Sequence, residues 1–461
     1  MTGDDLLASL PFLLLLVGAV LVIALARPLR AEERAWMLLA ATVASAAAAL
    51  AALQGGGPDG FGGVLRRDGA SAFATILVGL CAAVTLVLGV GDRGYDRREG
   101  ARASGLVLLC ASGAVLVASS GDLFAALLGL ALLTVPLGML GRSRQAVSRG
   151  TGRSAPLRRG AIAPLLFAAG TLLVLADTGS TRIGALGATS SPLGQAGIAL
   201  VLAALAQAAA LVPFHVLAPE IDATAPAPMV AFVSTVGKVG AFALLLRAAG
   251  TITASGVAEP DWRASIAVLA ALTMTVGVLV ALARTSLRRI VAFATIAQAG
   301  TLTVALASGV VAGPAIGFGL ATLVALAFGA HAIIAELGGD PHVDDLRGLA
   351  RRRPVLAVAL ALFMLGLAGL PPTAAFLARV ALFEAALGAQ LAWLVIVGAV
   401  STVVAAVWCF RVIAASLVED PAAVAGRTSI SSAVAVAAAA AVLFSGVFPG
   451  PLREALVNAR F

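Results

Sequence analysis

The chain has 461 residues, 61% hydrophobic and 12% charged, with mean hydropathy +1.04 and formal net charge +8. A soluble protein carries about 25% charged residues, so this composition excludes an ordinary water-soluble fold and leaves no length for a separate catalytic domain. The positive charge sits in short loops between apolar runs, where it reports membrane topology and not nucleic-acid binding.

A spanning helix needs roughly 20 apolar residues. Such runs are predicted at 6–26, 36–53, 71–90, 104–119, 123–140, 161–176, 193–217, 228–246, 265–283, 290–307, 314–337, 355–386, 391–417 and 428–448. The first run lacks a basic leader and reads as a retained helix. The seventh contains Pro213. The twelfth is too long for one straight helix and contains Gly369-Leu370-Pro371-Pro372. Proline removes a backbone donor and clashes with the preceding turn. Freed backbone groups at membrane depth persist only where protein or a wet cavity satisfies them. Breaks are therefore predicted at Pro213 and at Pro371-Pro372.

The arginines orient these spans. With the N-terminus outside, 21 arginines fall in inner loops, 7 fall outside, and Arg379 and Arg411 lie within helices. This bias obeys the positive-inside rule. It predicts a multi-pass protein of a bacterial inner (plasma) membrane, with both termini outside and the basic loops cytoplasmic. The Arg-, Ser- and Gly-rich loop 141–160 reads as a solvated connector, and the Gly-rich stretch 54–63 as a turn. Cys81, Cys110 and Cys409 are isolated, so neither an iron–sulfur cluster nor a structural zinc is supported.

The chain has one lysine against 30 arginines, and it is Lys238, mid-way through the eighth span. Arginine cannot realistically release its proton in a protein. A buried lysine can, because burial lowers its pKa by roughly 3–5 units. Placing lysine at a helix centre costs roughly 2.5–3.5 kcal/mol by insertion scales. Lys238 is thus a candidate proton carrier; the competing reading is a structural lysine paired to a neighbouring helix, or one that snorkels. His331 and Glu336 lie five apart in the eleventh span, where His331 is either a relay or an inert packed imidazole. Arg379 and Glu384, also five apart, are candidates for a loose pair on the proton path. Gln207, six residues before Pro213, could order water. Asp122 begins the fifth span and reads as a helix cap.

Four segments carry a family resemblance. LVPFHVLAPEIDATAPAPMVAF at 211–232, running on to Lys238, resembles PFHxWxPD followed by APTP and a lysine-bearing helix. TSLRRIVAFATIAQAG at 285–300 looks like TxxKRxLAYSSIxxxG, and DLRGLARRRP at 345–354 looks like the loop before a twelfth helix. LAGLPPTAAFLAR at 367–379 looks like LAGIPPTAGFxxK. Together they resemble the antiporter-like membrane subunits of respiratory complex I, the N type above the L and M types, with Mrp antiporters and membrane-bound hydrogenase subunits as relatives.

The resemblance implies an all-α polytopic membrane protein of about 14 transmembrane helices, with broken helices 7 and 12 and two inverted five-helix repeats. The segments would be 1–103 (three helices), 104–246 (first repeat), 265–417 (second repeat) and 428–461 (last helix and tail). It also implies proton translocation coupled to redox chemistry elsewhere. No cofactor would be bound by this chain; NADH, FMN, iron–sulfur clusters and quinone would belong to partner subunits. The other partners would be the lipid bilayer, protons and further membrane subunits. By resemblance, Lys238 keeps the eighth-helix lysine, Arg379 replaces the twelfth-helix lysine, and Ala131 and Ala208 stand where the family has glutamate and lysine. Two alternatives stay open: a non-conducting structural homologue within such a complex, and a component of an Mrp-type cation/proton antiporter or a membrane-bound hydrogenase.

Overall fold

A computed structural model describes residues 3–26, 32–90, 97–140, 155–217, 225–254, 259–309, 313–419 and 429–458. The basic connector 141–154 and Arg27, Arg30, Arg93 and Arg427 lie outside the described residues. Every named element is helical, as a bilayer requires of segments that must satisfy their own backbone groups. In chain order these are α1 (Gly3–Leu25), α2 (Glu33–Gln54), α3 (Gly69–Val90), α4 (Arg97–Ser119), α5 (Leu123–Leu140), α6 (Ala155–Thr178) and α7 (Pro192–Ala208). Then follow α8 (Ala227–Ala254), α9 (Glu259–Leu282), α10 (Leu287–Ala307), α11 (Gly313–Leu337), the one-turn α12 (Leu349–Arg352), α13 (Pro354–Ala368), α14 (Ala374–Gly388), α15 (Ala392–Leu417), α16 (Ile430–Val447) and α17 (Gly450–Asn458).

Among the described residues, 12 helices are long and apolar enough to cross a membrane. Two more apolar helices, Pro192–Ala208 and Pro354–Ala368, are shorter. They are the first halves of the seventh and twelfth spans, the two for which proline breaks were expected.

Both breaks are built alike. After α7, Ala210 takes a left-handed φ of 57°, and Leu211 N–H returns 2.8 Å to the Ala206 carbonyl. After α13, Gly369 takes φ 74°, and Leu370 N–H returns 2.9 Å to the Leu365 carbonyl. In each case a left-handed residue lets the chain turn back onto the last carbonyls. The chain then meets Pro213, followed by a short 3-10 turn over Phe214–Leu217, or Pro371-Pro372, followed by α14.

The chain divides into two compact units. One comprises 1–225, 236–263 and 456–461; the other comprises 226–235 and 264–455. Within the first, glycines bring helix backbones together, as expected where association rests on close packing and not on hydrophobic contrast with lipid. A β-carbon on Gly113 of α4 would stand 2.6 Å from the Gly129 carbonyl of α5, and one on Gly170 of α6 would stand 2.7 Å from the Gly197 carbonyl of α7. The second unit has a core of Ala267, Ala270, Met274, Val304, Ala307, Ala386 and Leu394. Burial is graded: the apolar stretch of α10 is entirely buried and that of α8 is 94% buried, against 28% for α15 and 22% for α16. Polar side chains on α8 and α10 therefore sit deepest.

Candidate functional site

Lys238 lies in α8 and is 2% exposed. Glycines flank it. A β-carbon on Gly237 would stand 2.6 Å from the Ala208 carbonyl at the end of α7, and one on Gly240 would stand 3.1 Å from the Ala114 carbonyl of α4. α8 can therefore lie directly on two neighbouring backbones at the turn that carries the amine. Gln207 is also buried and precedes Ala208, so the structure brings the end of the broken α7 against the Lys238 turn. Ala131, on α5, contributes no carboxylate.

One end of α8 is pinned by an ion pair. Arg247 donates 2.7 Å to Asp68 Oδ1 and 3.3 Å to Asp68 Oδ2. The same guanidinium donates to the carbonyls of Ala118 and Ser120, capping the end of α4. Burial is the largest single influence on Asp68 and opposes its ionisation, but the adjoining Arg247 charge together with hydrogen bonds from Arg247 and Ser71 outweighs it and holds this carboxyl below its ordinary range. Asp122 is the cap the sequence suggested: it accepts 2.8 Å from Phe124 N–H, and it also accepts 2.6 Å from the Thr181 hydroxyl.

In the second unit, His331 is fully buried in α11. Its Nδ1 lies 2.8 Å from the Ala327 carbonyl, which assigns the proton to Nδ1. Its Nε2 is left as an acceptor with no hydrogen-bond partner among the described residues. Glu336 does not meet it. Glu336 instead accepts 2.8 Å from Arg353 and also binds the Ser429 hydroxyl.

Arg379 and Glu384 are not joined. Arg379 is 7% exposed, whereas Glu384 is exposed, because five residues turn about 140° around a helix and point the two side chains apart. Arg379 instead caps the first half of its own span. Its Nη1 donates 2.7 Å to the Ala368 carbonyl, the last of α13, and 2.6 Å to Thr402 Oγ1; its Nη2 lies 3.4 Å from Gln298 Oε1. Gln298 completes the cap, with its amide nitrogen 2.9 Å from the Gly366 carbonyl and 3.1 Å from that of Leu367. A cation suits this spot, since the carbonyl end of a helix is partly negative. Arg411 does the same for α9, donating 3.0 Å to the Leu282 carbonyl and also to that of Arg284.

Gln298 and Thr402 were not singled out from the sequence. Gln298 carried a signal, being an amide inside an apolar run, as Gln207 is. Thr402 carried none, since threonine on a spanning helix commonly bonds its own backbone, as it also does here to Gly398. Among the described residues, no group of three or more His, Cys, Asp or Glu could hold a metal.

Residues 120–405 match the family described as NADH:quinone oxidoreductase/Mrp antiporter, TM. The chain belongs to this family. Among its relatives is NADH-quinone oxidoreductase subunit N of Desulfovibrio desulfuricans, 32% identical over 97% of this chain and 95% of that one. Among solved structures, the chain is similar to one in respiratory complex I from Thermus thermophilus with bound aureothin. That match has 32% identity and TM-score 0.84, covering 97% of this chain and 99% of the other. A chain of the archaeal membrane-bound sulfane sulfur reductase shares the fold, with TM-score 0.85 at 21% identity over 98% of this chain and 96% of that one. These likenesses fit an all-helical, polytopic membrane subunit of the complex I antiporter-like type, as the motifs implied.

Proposed function

We propose that this chain is an N-type, proton-translocating membrane subunit of a complex I-like quinone oxidoreductase, with Lys238 as its proton carrier. The observation that carries this reading is the placement of the chain's sole lysine, 2% exposed, inside an almost wholly buried helix. A cation that cannot reach water is costly while charged, and lysine is the side chain that can escape this cost by releasing its proton. Gln207 at the end of α7 assists it, and His331 on α11 is a separate relay candidate within the second unit. His331 offers an unbonded ring acceptor, and neutral histidine suits proton transfer.

The redox groups (NADH, FMN, iron–sulfur clusters, quinone) belong to partner subunits in this reading. The chain lies in a bacterial plasma membrane with its basic loops cytoplasmic. The matching terminations of α7 and α13 support two five-helix repeats, 104–246 and 265–417, each with one broken span.

Replacing Lys238 with Met in the assembled complex tests the role. Quinone reduction should persist or fall modestly, while proton uptake into vesicles is lost. Unchanged proton-to-electron stoichiometry in that variant refutes it. One specific observation favours a second reading, a non-conducting structural subunit: Ala131 and Ala208 occupy the positions of two ionisable family residues, and Arg379 is tied to neutral acceptors. The same experiment separates the two.

A further inference from the structure

The break in the twelfth span holds a buried charge with one nitrogen left without an acceptor among the described residues. Arg379 is 7% exposed, and among the described residues no carboxylate pairs with it. Its acceptors, the Ala368 carbonyl, the Thr402 hydroxyl and the Gln298 amide oxygen, are all neutral. The buried Nε–H has no hydrogen-bond partner among the described residues. A guanidinium is a pure donor with five N–H groups. Leaving a buried donor unmet is costly, and more so on a charged group. Something at this place should therefore accept.

The structure has room for it. A cavity of about 10 Å³ adjoins Arg379, lined among others by Gln298, Thr301, Leu302, Leu323 and Ala378. One water needs about 10–15 Å³ of such space, so the cavity takes a single small guest and not a file of molecules. Its polar lining is confined to Gln298, Thr301 and Arg379, and the rest is apolar. Thr301 already donates its hydroxyl hydrogen to the Ala297 carbonyl, 3.3 Å away, which leaves its oxygen free to accept from a guest.

We propose that the break in the twelfth span is a binding site for one water-sized hydrogen-bond acceptor, a water or a small halide ion, held by Arg379 Nε–H between α10 and α14. A water donates on to Thr301 and leaves the break with a fixed positive charge. A halide presses the leucine wall back slightly and makes the break electrically neutral.

The test is high-resolution cryo-electron microscopy of the purified assembly, at a resolution where other buried waters are visible, in chloride, gluconate and bromide buffers. The expected result is one peak within hydrogen-bond distance of Arg379 Nε. A peak of equal strength in all three buffers identifies water. A peak that fades in gluconate and strengthens in bromide identifies a halide. Ala378→Val, which adds two methyl groups to the cavity wall, should abolish the peak while the Arg379 bonds to Ala368 and Thr402 remain. No peak in the wild type, or a peak that survives unchanged in Ala378→Val, overturns the site.

Discussion

The carbonyl oxygen of Ala208 lies only 2.6 Å from the place a β-carbon on Gly237 would take. This contact joins the end of a broken span to the residue preceding Lys238. Gly237→Ala should force the two helices apart, at the roughly 1–3 kcal/mol typical of overpacking. The check is twofold: a lower melting temperature of the assembly, and impaired proton uptake at near-normal quinone reduction. Full stability with full pumping would show that the contact is slack.

Lys238→Arg distinguishes a carrier from a mere cation. Arginine keeps its charge at every accessible pH, so the variant should assemble yet translocate no protons. If arginine restores pumping lost in Lys238→Met, the site needs only positive charge and the carrier assignment fails.

Gly369→Ala should disturb the second break. Gly369 has φ 74°, which alanine adopts at a cost of about 1–2 kcal/mol, and its added carbon would collide with the Arg379 guanidinium. Loss of the Arg379 cap on α13, seen as faster hydrogen exchange at the break, is the expected outcome.

Asp68 gives a pH prediction. Its carboxyl is held below the ordinary value chiefly by Arg247, against the opposing effect of burial. A depressed folded-state value adds stability that is complete above the unfolded carboxylate value near 3.9. That stability disappears as pH falls through the lower folded value. Asp68 keeps 39% of its side chain exposed, so screening holds the contribution to about 1 kcal/mol. Asp68→Asn should lower the melting temperature at pH 7 and flatten its decline below pH 4; an unchanged decline would remove Asp68 from the acid response.

Glu336 ties the end of α11 to Arg353 and Ser429, with 5% of its side chain exposed against 15% for Arg353. Removing one partner of a buried pair costs about 3–5 kcal/mol. Glu336→Gln should therefore reduce the yield of assembled complex. If yield and melting temperature hold, the pair is dispensable.

Hydropathy was enough to read the spans, and Pro213 and Pro371-Pro372 to read both breaks, although proline alone does not decide a break: Pro11, Pro136 and Pro164 lie inside continuous helices. Lys238 was legible for the same reason: a charge inside an apolar run needs no alignment to stand out. The partners of Arg379 were not legible. Sequence spacing suggested Glu384, but helix rotation points that carboxylate away, and the actual partners, Gln298 and Thr402, come from helices 81 and 23 residues distant. Such meetings depend on tertiary packing, which period and propensity do not encode. The Ala208–Gly237 contact was hidden likewise, since two small apolar residues carry no chemical signal.

Arg247, Arg379 and Arg411 each bind the carbonyl end of a helix. None of these guanidiniums can discharge under physiological conditions. Each of these helix ends thus carries a permanent positive charge, set once when its helix packs and indifferent to the surrounding acidity. Acidification can neutralise a carboxylate such as Asp68, but it leaves these three helix ends charged.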